Sequence, residues 1–106
     1  MIRATFRQRA GHLTGFTVQG HAGFAGQGED IVCAAVSSAA YLTVNTLTDV
    51  LHIRADCTVQ DGFLSVAVPD GEGGAWMLEG FRLHMEQLRE QYPRRIKITT
   101  EVEQNA

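Results

Sequence analysis

Cysteine is scarce in this 106-residue chain: Cys33 and Cys57 are the only two, and no CxxC pair joins them. A disulfide scaffold uses more cysteines and a structural zinc site needs closer ligand spacing, so both classes are excluded. The thiols are expected to be reduced, as in the cytoplasm. Proline is equally rare, with Pro69 and Pro93 alone. Charge of one sign is not in excess either, since nine Lys and Arg face twelve Asp and Glu for a net charge of -3. A dedicated nucleic-acid binder carries a basic excess, so direct nucleic-acid binding is not expected. The short basic group Arg94, Arg95 and Lys97 reads as a solvated strand entry. No stretch reads as the roughly 18 apolar residues of a membrane span. The opening Met1 to Arg7 alternates apolar and charged residues, unlike a signal peptide.

What is present is a hydrophobic content of 44%, which at this length supports one domain over residues 1–106 with its own core. Ile2, Ala4 and Phe6 alternate with Arg3, Thr5 and Arg7, the period of a half-buried strand. Ala10-Gly11-His12 turns the chain into a second strand, Thr14 to Gln19, with Phe16 and Val18 inward. From Gly20 to Glu29, four glycines in ten residues predict a loop that carries Gly23, Phe24, Gly26 and Gly28.

Asp30 then stands where an N-cap belongs, and the run from Ile31 to His52 contains no Gly or Pro. A helix to about Leu51 follows, with Val36, Ala40, Val44, Leu47 and Leu51 at helical spacing and small residues in its first turns. Asp61-Gly62 between Asp56–Gln60 and Phe63–Val68 predicts a hairpin with a two-residue primed turn. Leu78, Phe81, Met85, Leu88 and Tyr92 set the apolar stripe of a second helix from about Ala75 to Gln91, stopped by Pro93. A last strand alternates Ile96, Ile98, Thr100 and Val102 with polar residues. The order β-β-α-β-β-α-β defines an α+β fold with a largely antiparallel sheet and two helices.

Two residues carry candidate chemistry. With Asp30 as cap, Cys33 is the third helical residue, where unpaired amides and the helix dipole favour a thiolate and can hold an oxyanion. His21 lies at the other end of the glycine loop and can serve as base, then acid, to such a thiol. The competing reading is a buried Cys33 acting as a small hydrophobe beside a solvated loop histidine. A redox-sensing thiol, which needs Cys33 alone, is the third alternative. Asp30 and Ser37, one turn beyond Cys33, are supporting candidates. His12, His52 and His84 read as a turn, a helix end and a helix surface, and Cys57 reads as core. No spacing calls for a metal or cofactor.

Gly20-His21-Ala22, the glycine loop, and Gly28-Glu29-Asp30-Ile31-Val32-Cys33-Ala34-Ala35-Val36-Ser37 resemble the bacterial ribosomal-processing cysteine proteases, called Prp. The resemblance continues from Leu78-Glu79-Gly80-Phe81 through Tyr92-Pro93. It implies a cytoplasmic, homodimeric α+β endopeptidase with His21 and Cys33 as its dyad and a loop that orders over bound peptide. It also implies a substrate, the N-terminal extension of a large-subunit ribosomal protein, cut after an aromatic residue before ribosome assembly. A non-enzymatic ribosome-associated module, with Cys33 a packing residue, is the alternative carried forward.

Overall fold

A computed structural model describes residues 1–20, 27–69 and 73–103, with side chains from residue 31 onward in the first helix. The strands are β1 (Ile2–Arg9), β2 (His12–Gln19), β3 (Asp56–Gln60), β4 (Phe63–Ala67) and β5 (Ile96–Glu103). The helices are α1 (Gln27–Asn45), continued by a π-helical turn over Thr46–Val50, and α2 (Ala75–Gln91). This is the α+β order expected from the sequence. The sheet runs β3-β4-β2-β1-β5. Its three antiparallel pairs are β1–β2, β2–β4 and β3–β4, and β5 joins β1 in parallel.

Alternation decides which face of the sheet is covered. Ile2, Ala4 and Phe6 of β1, Leu13 and Phe16 of β2, and Leu64 and Val66 of β4 are buried together with Val32, Val36, Ala40 and Leu47 of the α1 region and Leu78, Phe81, Met85 and Leu88 of α2. Phe6, Phe16 and Phe81 form the centre, with Phe16 and Phe81 ring centroids 4.5 Å apart and tilted by 45°. Such aromatic pairs contribute about 0.5–1.5 kcal/mol beyond their buried area. The opposite face is polar and stitched by hydrogen bonds. The Arg7 guanidinium donates to Thr17 Oγ1 at 2.9 Å and to the Val66 carbonyl at 3.1 Å, and Thr99 donates to Thr5 at 3.2 Å. The result is two layers, with both helices on one side.

The turns depart from expectation in an instructive way. Between β1 and β2 the loop is two residues, with both Ala10 (φ +51°) and Gly11 (φ +81°) in the left-handed region, so this is the primed turn. The Asp61-Gly62 loop is also two residues long, but only Gly62 has positive φ, at +68°. The primed geometry expected there is therefore corrected. The Gly62 carbonyl is held by the Gly20 N–H at 3.0 Å, an anchor that local sequence does not advertise. After Arg7 the β1–β2 register shifts, from Arg7 opposite Gly15 to Gln8 opposite Leu13, which leaves Thr14 as a bulge.

The first helix also differs at both ends. It begins at Gln27, so Asp30 is its fourth residue and not its N-cap, and Gly28 lies in the helix, outside the loop. At the other end the Leu51 N–H reaches back five residues to the Thr46 carbonyl at 2.8 Å, and His52 takes φ +55°. The wider turn consumes an extra residue and shifts the helical phase, so Leu51 is about half exposed while Ile53 enters the core. The span Ile31–Val50 is, against expectation, long and apolar enough to cross a membrane by length and composition. Its Val32, Val36, Ala40 and Leu47 are instead committed to the core of the sheet.

Candidate active site

The end of β2 and the start of α1 bracket the residues singled out from sequence. Gly20 closes β2 with φ +90°, and a side chain there would meet the Met1 carbonyl. Its N–H bond to Gly62 ties the exit of β2 to the tip of the β3–β4 hairpin. His21 comes next, and with Gly23, Phe24 and Gly26 it lies outside the described residues.

Cys33 is half-buried and packs against the core between buried Val32 and exposed Ile31 on one side and exposed Ala34 on the other. This is the position of a thiol held by a rigid element with one side open to a reactant. Ser37 follows one turn later and is exposed. Because α1 starts at Gln27, Cys33 is its seventh residue. The unpaired amides belong to residues 27–30, and the nearest of these lies ~4.5 Å up the axis from Cys33. The helix field also falls off within the first turn. The thiol is thus further from the helix start than the expected cap implied.

The second thiol differs in every respect. Cys57 was expected in the core but is exposed on β3. The reason is that β3 is an edge strand that extends past the cover of the helices, and all five of its residues are exposed. Partial burial, then the Asp56 carboxylate, push the Cys57 thiol pKa up. Less thiolate at neutral pH makes it a poorer nucleophile. His12, His52 and His84 are exposed, as expected for a turn, a helix end and a helix surface. Among the described residues no three His, Cys, Asp or Glu side chains gather as a metal site.

A half-buried thiol on a helix that packs on a five-stranded mixed sheet is an arrangement that suits an α+β cysteine hydrolase. Comparison with known proteins makes the assignment specific: the sequence profile of the cysteine protease Prp family matches residues 1–97, and the chain belongs to that family. The ribosomal processing cysteine protease Prp of Bacillus subtilis is 25% identical over 111 residues, covering 96% of this chain and 99% of that protein. The crystal structure of SMU.848 from Streptococcus mutans superposes with a TM-score of 0.82 at 30% identity, covering 97% of this chain and 96% of that one. Staphylococcus aureus Prp in complex with a substrate peptide superposes with a TM-score of 0.87 at 23% identity, covering 95% and 100%. Family membership makes this chain a cysteine protease and removes the non-enzymatic alternative.

Sequence reasoning missed Gly62 as the anchor of the β2 exit. Its signal was present in the Asp-Gly pair, which was read only as a hairpin turn. The link from that turn to Gly20 is a tertiary contact without a local signature.

Proposed function

We propose that this chain is an endopeptidase that removes the N-terminal extension of a large-subunit ribosomal protein, cutting after an aromatic residue, and that His21 and Cys33 are its catalytic dyad. The observation that carries the dyad is the pair of thiols: Cys33 sits half-buried on the helix that follows His21, whereas Cys57 is exposed, has a raised pKa and lies on an edge strand. The Bacillus relative's name and the peptide-bound Staphylococcus structure support the substrate class.

In this reading His21 takes the Cys33 proton, and the thiolate sulfur attacks the scissile carbonyl carbon to form a tetrahedral oxyanion. Collapse breaks the C–N bond, and the His21 proton leaves with the new amine. Water, deprotonated by His21, then attacks the thioester, releases the shortened carboxylate end and returns the proton to sulfur. Ser37, at helical spacing from Cys33, supports the thiol through hydrogen bonding, and Asp30 is the candidate that orients the His21 imidazole. Gly23, Phe24 and Gly26 belong to the loop that closes over substrate.

The enzyme works in the cytoplasm as a homodimer in this proposal, without a cofactor, a membrane or direct nucleic-acid binding. Exposed Ile31, Tyr41 and Leu42 on α1 and exposed Trp76 and Leu83 on α2 offer apolar surface for the second copy. The test is mass spectrometry of the ribosomal extension peptide after incubation with wild type, His21→Ala and Cys33→Ala. One cut after the aromatic residue, lost in both variants, is the expected result. Cleavage that survives Cys33→Ala overturns the assignment of the nucleophile.

A further inference from the structure

Among the described residues the sheet has two free edges, and they are built differently. The β5 edge carries Lys97, Glu101 and Glu103, the charges that discourage strand addition. On β3 the residues after Asp56 are Cys57, Thr58, Val59 and Gln60, with no charge and no proline. This edge is open to another strand.

The hydrogen-bond alternation shows what the open edge offers. The Gly20 N–H donates to the Gly62 carbonyl, and the Val68 N–H donates to the Thr14 carbonyl. Even-numbered residues along β4 therefore direct their backbone groups toward β2, and odd-numbered ones toward β3. Phe63, Ser65 and Ala67 are opposite Gln60, Thr58 and Asp56. That leaves Cys57 and Val59 with N–H and C=O facing outward. Their side chains share the face of their partners, buried Val66 and Leu64, yet Val59 is 52% exposed and Cys57 is exposed. An uncovered apolar ledge thus runs along an unpaired backbone edge.

Topology puts this ledge on the thiol's side of α1. The β2–α1–β3 and β4–α2–β5 connections join parallel strands, and crossovers of this kind are right-handed as a rule. That rule puts α1 over β4, short of β3, while α2 packs on β2 and β5. The stripe Val32, Val36, Ala40, Thr43 and Leu47 faces the sheet. At ~100° per residue, Cys33 and Ser37 fall on the flank toward β3, and Ala35 and Ala39 on the flank toward α2. The β3–β4 tip is also bonded to Gly20, the residue before His21.

We propose that the substrate binds as an added strand on β3, pairing with the outward N–H and C=O of Cys57 and Val59, so that its chain runs toward Cys33. A peptidase needs an extended substrate backbone beside its nucleophile, and strand addition supplies affinity through the main chain. The proposal rests on the assignment of Cys33 as nucleophile. It is tested separately from that assignment, by binding without turnover.

The experiment uses Cys33→Ala protein and a fluorescein-labelled peptide of the ribosomal extension, followed by anisotropy. Val59→Pro removes one outward N–H while leaving the β3–β4 bonds in place. Val59→Lys blunts the same edge with charge, and Val102→Lys places the same charge on β5, where Val102 is 65% exposed. Kd is expected to rise about tenfold for both Val59 variants, the loss of roughly one or two hydrogen bonds, and to stay unchanged for Val102→Lys. An unchanged Kd in folded Val59→Lys overturns the proposal. So does an equal loss in Val102→Lys, or a change in sedimentation mass on Val59→Lys with Kd unmoved, which assigns the edge to a second copy. Failure of the nucleophile assignment is read elsewhere, as cleavage by Cys33→Ala.

Discussion

Gly20→Ala tests how tightly the exit of β2 is built. Gly20 has φ +90°, and an added Cβ meets the Met1 carbonyl oxygen, with the Met1 carbonyl carbon 3.4 Å away. An L-residue in the left-handed region costs about 1–2 kcal/mol. The clash is with backbone and cannot be relieved by a rotamer change, so overpacking adds about 1–3 kcal/mol. A total of about 2–5 kcal/mol is a large share of the ~5–15 kcal/mol that holds a typical domain together. With a urea slope of ~2 kcal/mol per molar, the unfolding midpoint should fall by about 1–2.5 M. The same change displaces the Gly20 N–H from the Gly62 carbonyl and moves the point from which His21 departs. Peptide cleavage measured where the variant is still folded should therefore fall too. A midpoint shift under ~0.3 M refutes the steric argument. Wild-type cleavage in the folded variant refutes the link from Gly20 to the dyad.

The turn between β1 and β2 holds Ala10 at φ +51°, a conformation that Asn tolerates better, so Ala10→Asn should stabilise by about 0.5–1 kcal/mol. Thermal unfolding would then shift upward by a few degrees, and a lower midpoint counts against the primed-turn reading. For Cys57, the Asp56 carboxylate disfavours the thiolate, so Asp56→Asn should lower that pKa and speed iodoacetamide labelling at pH 8. Mass spectrometry of the labelled peptide reads the rate, and no acceleration removes Asp56 as a cause.

Most of the architecture was legible because its periods are clean. The alternation in Ile2 to Arg7 and in Ile96 to Ile98, and the 3-4 spacing of Leu78, Phe81, Met85 and Leu88, are each set by one buried face. The start of α1 was not legible, since Gly28 argues locally against a helix that the structure carries back to Gln27. Leu51 was misplaced because a π-helical turn changes phase without announcing itself in composition. Cys57 was misplaced because alternation reveals which face a residue is on, but not whether a helix reaches far enough to cover it. Of the candidate site, Cys33 and Ser37 lie about one turn further from the helix start than the sequence implied.

The parallel pairing of β1 with β5 has a consequence for how the molecule is made. β1 is synthesised well before its partner strand, which starts at Ile96. Until then β1 is itself an open edge, and Ile2, Ala4 and Phe6 can complete only part of their packing. Contacts so distant in sequence are slow to form and leave paired-edge hazards exposed in the meantime. The complete sheet, and with it the Met1 backbone against which Gly20 is set, therefore forms only after β5 has been made.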